Sequence, residues 1–318
     1  MPSFNRGASA GIDRPGSLQG DDAAIEPLRI FVIDVGQGDA TLIQAPSGEA
    51  MLVDAGPVGA GIGRVVPALA SRKIAQLEYI VLTHFHDDHT GGLSEVLAGQ
   101  DGLLGTADDI TLKGEIYVRG TQEGSSYGDG APLGAERAAP PERAALAGDR
   151  IGLGDCDVEV VAADGVLKDG IAIDLGDPPD ENARSIALLI SYKGFRMLIA
   201  ADLTGGGNDP PYQTPDMETP LAPLIGDIDV LRVAHHGSHT STNQAFLDAT
   251  KPEVAIISVG DGNDFFHPHT SVIDQLIDAG VSVYQTERGY LDRDGPVVAD
   301  GDVTIEVKAD GGYKVVLP

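Results

Sequence analysis

One stretch of this 318-residue chain constrains the rest more than any other: Tyr79-Ile-Val-Leu-Thr-His84-Phe-His86-Asp87-Asp88-His89-Thr-Gly-Gly92. An apolar, β-branched run of strand character ends on three imidazoles and two carboxylates, and a glycine pair then opens a helix. Such groups add nothing to packing at a strand end, because carboxylates and imidazoles are costly to bury unless something satisfies them. In a loop, His84 and His86 can reach one cation while Asp88 and His89 reach a second. The plain alternative is a solvated, His-rich turn, which leaves the density of metal-capable groups without a reason.

Other residues are read beside that cluster. Asp202 ends the apolar run 195–201, an expensive place for a carboxylate unless it is ionised against cations; a cap or turn Asp is the alternative. His235 and His236 are adjacent, and successive side chains diverge. One ligand is therefore expected, His236 in preference, with His235 behind it or facing substrate. Ser238, Thr240 and Ser241 lie in a loop leading into a helix, which suits an anionic substrate oxygen and equally suits a plain N-cap. His267 precedes Pro268, so it is held extended; it is a candidate acid or stabiliser of developing charge, against a surface-loop His. Asp54 is read as an orienter of a ligand histidine, with a turn residue as the alternative. Asp34 and Asp39 are read as turn residues.

Short apolar runs at 29–35, 40–45, 51–53, 79–83, 115–118, 158–162, 186–191, 195–200, 229–233, 254–258 and 281–285 predict strands. Stretches 63–72, 93–97, 135–147, 243–249 and 271–278 read as helices, and turns at Ser47-Gly48 and Lys193-Gly194 predict hairpins. No internal repeat or linker divides the chain. The expectation is a polar, Gly-rich leader over 1–26 and one layered α/β domain over 27–318, with insertions at 101–109 and 205–224. In the first insertion, Asp101, Asp108 and Asp109 flank a Gly-Leu-Leu-Gly-Thr segment and make a candidate Ca²⁺ loop without EF-hand spacing; a solvated acidic loop is the alternative.

The acidic balance limits partners. Asp and Glu number 49 against 21 Lys and Arg, a formal net charge of −28, which repels anionic polymers unless cations reverse the field at the site. Cys156 is the one cysteine, so no internal disulfide forms. No apolar run is long enough to span a membrane, and no signal peptide is visible. The acidic composition, the calcium-like loop and the leader favour a secreted or periplasmic setting, with the cytoplasm of a salt-adapted organism as the rival. Nothing in the sequence fixes an oligomeric state.

The H-x-H-x-D-H pattern at 84–89 resembles the signature of the metallo-β-lactamase superfamily. Phe31-Val-Ile-Asp-Val-Gly-Gln-Gly-Asp39-Ala40 looks like the opening strand and turn of the ComEC-type competence proteins in that superfamily. Leu52-Val-Asp54-Ala-Gly56, Met197-Leu-Ile-Ala-Ala-Asp202, Val233-Ala-His235-His236-Gly-Ser238 and Phe266-His267-Pro268 resemble its later motifs in order, so the resemblance covers about 29–290. It implies a four-layer αββα sandwich. It also implies two divalent ions, Zn²⁺ with Mn²⁺ as the alternative, held by His84, His86, Asp88, His89, Asp202 and His236. A hydroxide bridging the ions would be the nucleophile, with Asp88, His235 and His267 as catalytic residues.

One departure stands out. Many members supply a further histidine between the cluster and the bridging Asp, yet no His lies between His89 and His235. Glu181-Asn182-Ala-Arg-Ser185 resembles that position, so Asn182, Ser185 or water must fill it, alongside Ser238 and Thr240 on the substrate side. The ComEC-type subgroup shares this feature. The resemblance thus implies a phosphodiesterase acting on a small molecule or nucleic acid, with nuclease the leading version. An acyl hydrolase of lactonase or β-lactamase type is the alternative, weakened by the missing histidine, and a non-catalytic metal-binding module is the third reading.

Overall fold

A computed structural model describes residues 26–120, 142–207, 213–290 and 294–318. The expected leader therefore lies almost wholly outside the described residues. The first half supplies β1 (Leu28–Val32), β2 (Thr41–Gln44), β3 (Ala50–Val53), β4 (Gln76–Leu77), β5 (Tyr79–Leu82), β6 (Thr111–Leu112), β7 (Ile116–Val118) and β8 (Glu142–Ala144). The second supplies β9 (Arg150–Leu153), β10 (Cys156–Ala163), β11 (Val166–Leu167), β12 (Ala187–Tyr192), β13 (Phe195–Ile199), β14 (Val230–Arg232), β15 (Val254–Ile257), β16 (Ser282–Gln285), β17 (Val297–Val298), β18 (Val303–Val307) and β19 (Tyr313–Val316). Six α-helices are described: α1 (Val66–Ser71), α2 (Asp87–Thr90), α3 (Leu93–Ala98), α4 (Glu218–Ile225), α5 (Gln244–Thr250) and α6 (Thr270–Asp278).

The strands form two large sheets, ordered β19-β18-β1-β2-β3-β5-β7-β8 and β11-β10-β12-β13-β14-β15-β16-β17, with β9 on β10. The layers follow from the period of two. In β13, Met197 and Ile199 join the core shared by both sheets, while Leu198 joins the one beneath α4, α5 and α6. In β12, Leu188 and Ile190 face the first core and Leu189 the second. Strands buried on both faces read as unbroken apolar runs, which is why these segments stood out in the sequence. A third core lies under α1 and α3, where Leu69 and Val96 meet Leu42 and Leu52. Helix, sheet, sheet and helix thus stack as an αββα sandwich.

Both expected hairpins form. Lys193 and Gly194 sit at φ +50° and +90°, the left-handed pair that matches strand twist, and join β12 to β13. β3, β5 and β7 run parallel, as do β13, β14, β15 and β16. The loops leaving β5, β13, β14 and β15 carry the residues described next.

Two expectations change, and one element is new. Stretch 135–147 is not a helix where it is described: Glu142–Ala144 pairs parallel with β7, and 135–141 lies outside the described residues. The 205–224 insertion contains most of α4, despite Pro223 inside the helix, because Leu221, Ala222 and Ile225 bury against the second sheet. The C-terminal hairpin β18–β19, unread in the sequence, closes the first sheet against β1. No helix among the described residues is long and apolar enough to cross a membrane.

Candidate metal centre

Four chain segments bring the imidazoles and carboxylates together. β5 delivers Thr83 and buried His84; His86 is the N-cap of α2, whose four residues hold Asp88 and His89. Asp202 follows β13 after Ala201, which turns the chain at φ +48°. His235 and His236 follow β14 at φ +49° and +52°. Left-handed backbone at such residues costs about 1–2 kcal/mol each and persists only where the surroundings hold it. Its effect here is to turn both consecutive rings to one side. Both rings therefore face Asp202: His235 Nε2 is 3.8 Å from Asp202 Oδ2 and His236 Nε2 is 3.9 Å from Asp202 Oδ1, with His236 inside a donor group and His235 on the cavity lining.

The donors form groups. His84, His86 and Asp202 offer ligand atoms all within 4.8 Å of one another, as do Asp88, His89 and His236. His84 Nε2 lies 3.0 Å from His86 Nδ1 and 3.8 Å from Asp202 Oδ2. In the second group, Asp88 Oδ2 is 3.3 Å from His236 Nε2 and 3.9 Å from His89 Nε2. Asp202 stands between them, its Oδ1 3.3 Å from His89 Nε2. A third trio joins Asp39 to His89 and Asp202. The donor set fits divalent cations: His89 Nε2, His236 Nε2 and Asp202 Oδ1 are buried polar atoms with no hydrogen-bond partner, converging on one region. Left so, each costs about 1–3 kcal/mol, which a cation among them removes.

Contacts on the far side of each ring fix it in place. His89 Nδ1 pairs with Asp54 Oδ2 at 2.8 Å, and Asp54 accepts the Thr83 N–H at 2.8 Å and hydroxyl at 2.7 Å. Asp54 thus lies where an orienter of a ligand histidine would lie. His236 Nδ1 is 3.0 Å from the Ser258 carbonyl, and His235 Nδ1 is 3.2 Å from Thr240 Oγ1. Electrostatics separate His84 from His89. Burial, joined by repulsion from His89, holds His84 well below the ordinary imidazole value. His89 stands well above it, because Asp202, Asp88 and Asp54 together outweigh its burial. Burial works against ionisation of Asp88 and Asp202, but His89 and His236 keep both below the ordinary carboxylate value.

A cavity of 670 Å³ opens over the donors, lined also by Gln37, Phe85, Pro178, Asn182, Phe265 and His267. Asn182 Nδ2 is 3.2 Å from His235 Nε2, and its buried Oδ1 has no partner. Ser185 is placed differently from the expectation: it is fully buried and its Oγ accepts the Asp202 backbone N–H at 3.3 Å, behind the cavity. Ser238 and Thr240 also lie behind it, hydrogen-bonded to each other at 2.9 Å, with Thr240 against His235. His267 is buried beside the His235 and His236 rings, its Nδ1 unpartnered; burial and neighbouring imidazoles push it down to about 2. A neutral ring is therefore what it offers the cavity.

Asp101, Asp108 and Asp109 are tied into one exposed loop. Their carboxylates accept bonds from the loop itself: Asp108 from the Asp101 N–H and the Thr106 hydroxyl, Asp109 from the Gly105 N–H, each at 2.8 Å. The trios of converging donors among the described residues do not include them. Sequence reading missed two buried pairs, Arg119 with Glu181 and Arg232 with Asp39. The one available signal was a charged residue at the end of an apolar run, as at Arg119 and Arg232.

A family model described as the metallo-beta-lactamase superfamily matches residues 33–261. ComE operon protein 3 of Bacillus subtilis is 26% identical over 280 residues, 81% of this chain and 32% of that protein. Competence protein ComA of Neisseria gonorrhoeae is 26% identical over 278 residues, 86% of this chain and 32% of that protein. The chain thus spans about a third of the length of these curated relatives. Among solved structures, the metallo-beta-lactamase fold protein YhfI from Bacillus subtilis matches with a TM-score of 0.51 at 15% identity, covering 83% of this chain and 98% of that one, a likeness of fold. On the family model, the ordered motifs and the donor set, this chain belongs to the metallo-β-lactamase superfamily, in its ComEC-type competence-protein subgroup.

Proposed function

We propose that the chain is a phosphodiesterase that uses two divalent ions, one held by His84, His86 and Asp202, the other by Asp88, His89, His236 and Asp202. The observation that carries this reading is the pair of donor groups meeting at Asp202 on the floor of one cavity. Ions bound there supply an activated water at neutral pH and stabilise charge on substrate oxygen. The chain's own residues do the rest. Asp202 spans both groups, Asp54 and Ser258 hold the ring orientations, and neutral His267 faces the cavity as a hydrogen-bond partner for a substrate oxygen. Asn182 and His235 are hydrogen-bonded to each other on the cavity lining and, among the described residues, no further histidine joins the first group, which leaves it three protein ligands against four in the second. This favours phosphodiester over β-lactam chemistry, and Mn²⁺ beside Zn²⁺.

Nucleic acid is the larger substrate that the resemblance implies. Against a polymer stand the net charge of −28 and a cavity whose described lining includes Asp87 and Asp180 beyond the metal-group carboxylates. A small, singly charged phosphodiester is the substrate we favour. The test is hydrolysis of bis(p-nitrophenyl) phosphate and of a chromogenic β-lactam, each with Zn²⁺, Mn²⁺ or chelator. Expected are phosphodiester turnover that chelator removes and its loss in His86→Ala and Asp202→Ala with the fold kept. Turnover of the β-lactam alone, or unchanged rates in either variant, would overturn the reading.

A further inference from the structure

Beneath the second donor group lies a charge pair with no part in the reaction just described. Arg232, the last residue of β14, is 1% exposed, and its guanidinium is ion-paired with the Asp39 carboxylate, itself 5% exposed. Arg232 stands three residues before His235, and Asp39 lies between β1 and β2, beside the loop of the metal cluster.

Asp39 is tied to the second group from several directions. Its N–H donates to the Asp88 carbonyl at 3.0 Å, and its own carbonyl accepts the Gly56 N–H at 2.8 Å. The neighbouring Gly38 carbonyl accepts the Ser258 hydroxyl at 2.7 Å, and the Ser258 carbonyl faces His236 Nδ1. Asp39 Oδ1 lies 3.5 Å from the same His236 Nδ1, and the carboxylate shares a trio with His89 and Asp202. Packing leaves no slack: a Cβ on Gly38, at φ +145°, would come within 2.4 Å of the Asp88 carbonyl oxygen. Asp39 thus meets the Asp88 segment through its backbone, while its carboxylate lies beside His236 and within reach of His89 and Asp202.

We infer that the Asp39–Arg232 pair is a positioning device for the second metal group, Arg232 fixing Asp39 and Asp39 fixing His236 and α2 relative to Asp202. A purely structural role is the competing account. A buried ion pair can often be exchanged for apolar residues of similar size at little cost to stability, whereas loss of an outer contact to a ligand weakens metal binding by about 10–100-fold. The two accounts therefore separate in a variant lacking both charges.

The inference rests on the two-ion reading above, and the experiment keeps the two apart. Metal-free protein comprising the 318 residues is titrated with Co²⁺, followed by visible absorption and calorimetry, with thermal melting alongside. The wild-type chain is expected to bind two equivalents; binding of none would refute the two-ion reading itself. In Asp39→Leu/Arg232→Met the melt stays cooperative, one equivalent keeps its affinity, and the other weakens about 10–100-fold. With His86→Ala added, the weakened equivalent is the one that remains. Arg232→Lys, which keeps the charge, recovers most of the affinity. Should the double variant not fold, Asp39→Asn keeps the side-chain shape and must weaken the same equivalent. Two equivalents at wild-type affinity in whichever of these variants folds, or equal weakening of both, would overturn the inference.

Discussion

The other buried pair gives the sharpest stability prediction. Arg119 donates from Nε to Glu181 Oε1 at 2.8 Å and from its terminal nitrogen to Oε2 at 2.6 Å, a two-point bond with both side chains fully buried. Glu181 Oε1 also accepts the Phe85 N–H at 2.9 Å, and the guanidinium covers the Phe85 ring at 4.3 Å. Phe85 lies between His84 and His86, so the pair braces the first donor group from below. Arg119→Met takes the cation from a carboxylate that stays buried, a loss worth about 3–5 kcal/mol. For 318 residues the unfolding entropy at the midpoint is about 0.7 kcal/mol/K, so the melting temperature should fall by about 4–7 °C. Glu181→Met leaves the guanidinium buried and should cost about as much. The double variant removes both charges and should lose clearly less than the sum, with a coupling of about 2 kcal/mol or more. Differential scanning calorimetry of the four proteins in one buffer supplies every number needed. Additive losses, or a single-variant shift below about 2 °C, would show that the pair contributes little and that the brace argument is wrong.

Two further expectations follow from buried polar groups. Chelation should lower the melting temperature by about 6 °C for each ion removed, about 12 °C for two, since ligand held at about a thousand times its Kd contributes about 4 kcal/mol per site; a curve unmoved by chelator would remove ion binding from the account of these orphaned donors. Glu218, buried in the first turn of α4, accepts the Thr242 and Asn243 N–H groups at 2.6 and 2.7 Å, yet burial pushes its carboxyl up to about 8. A carboxyl raised in the folded state is fully favourable below its unfolded value, here 4.5, and its contribution is lost as pH rises through 8. Denaturant midpoints of the metal-saturated protein should therefore fall between pH 5 and 8 by at most about 1.4 kcal/mol per unit, and Glu218→Gln should flatten that slope; equal slopes in the two proteins would sink the assignment.

Much of the fold was legible because its strands carry their burial in their composition. β12 and β13 are apolar on both faces, and that pattern survives any context. What escaped depended on context. Glu142-Arg-Ala144 opens a helix-favouring stretch, Glu-Arg-Ala-Ala-Leu, yet forms a strand because the open edge of β7 offers hydrogen bonds there. α4 carries two prolines, against its propensity, and folds because its apolar face meets the second sheet while Glu218 ties its start to the loop ahead of α5. In the β18–β19 hairpin, β18 alternates buried and half-exposed residues, β19 buries only Tyr313, and neither has a long apolar run to mark it.

The site divides along the same line. His84, His86, Asp88 and His89 are close in sequence, so their convergence follows from one tight turn and could be read without a structure. Asp202 and the histidine pair were found because each ends an apolar strand, where a polar group needs a reason. The direction of His235 was not readable, since two successive left-handed residues leave no mark in a His-His-Gly sequence. Asp39 and Glu181 were less visible still. Each looks like a loop carboxylate until its arginine is known to be buried opposite, and those arginines come from strands far away in sequence. A buried cation at a strand end is as anomalous as a buried anion. The reasoning that singled out Asp202 applies equally to Arg119 and Arg232, and it places one arginine–carboxylate pair beneath each of the two donor groups.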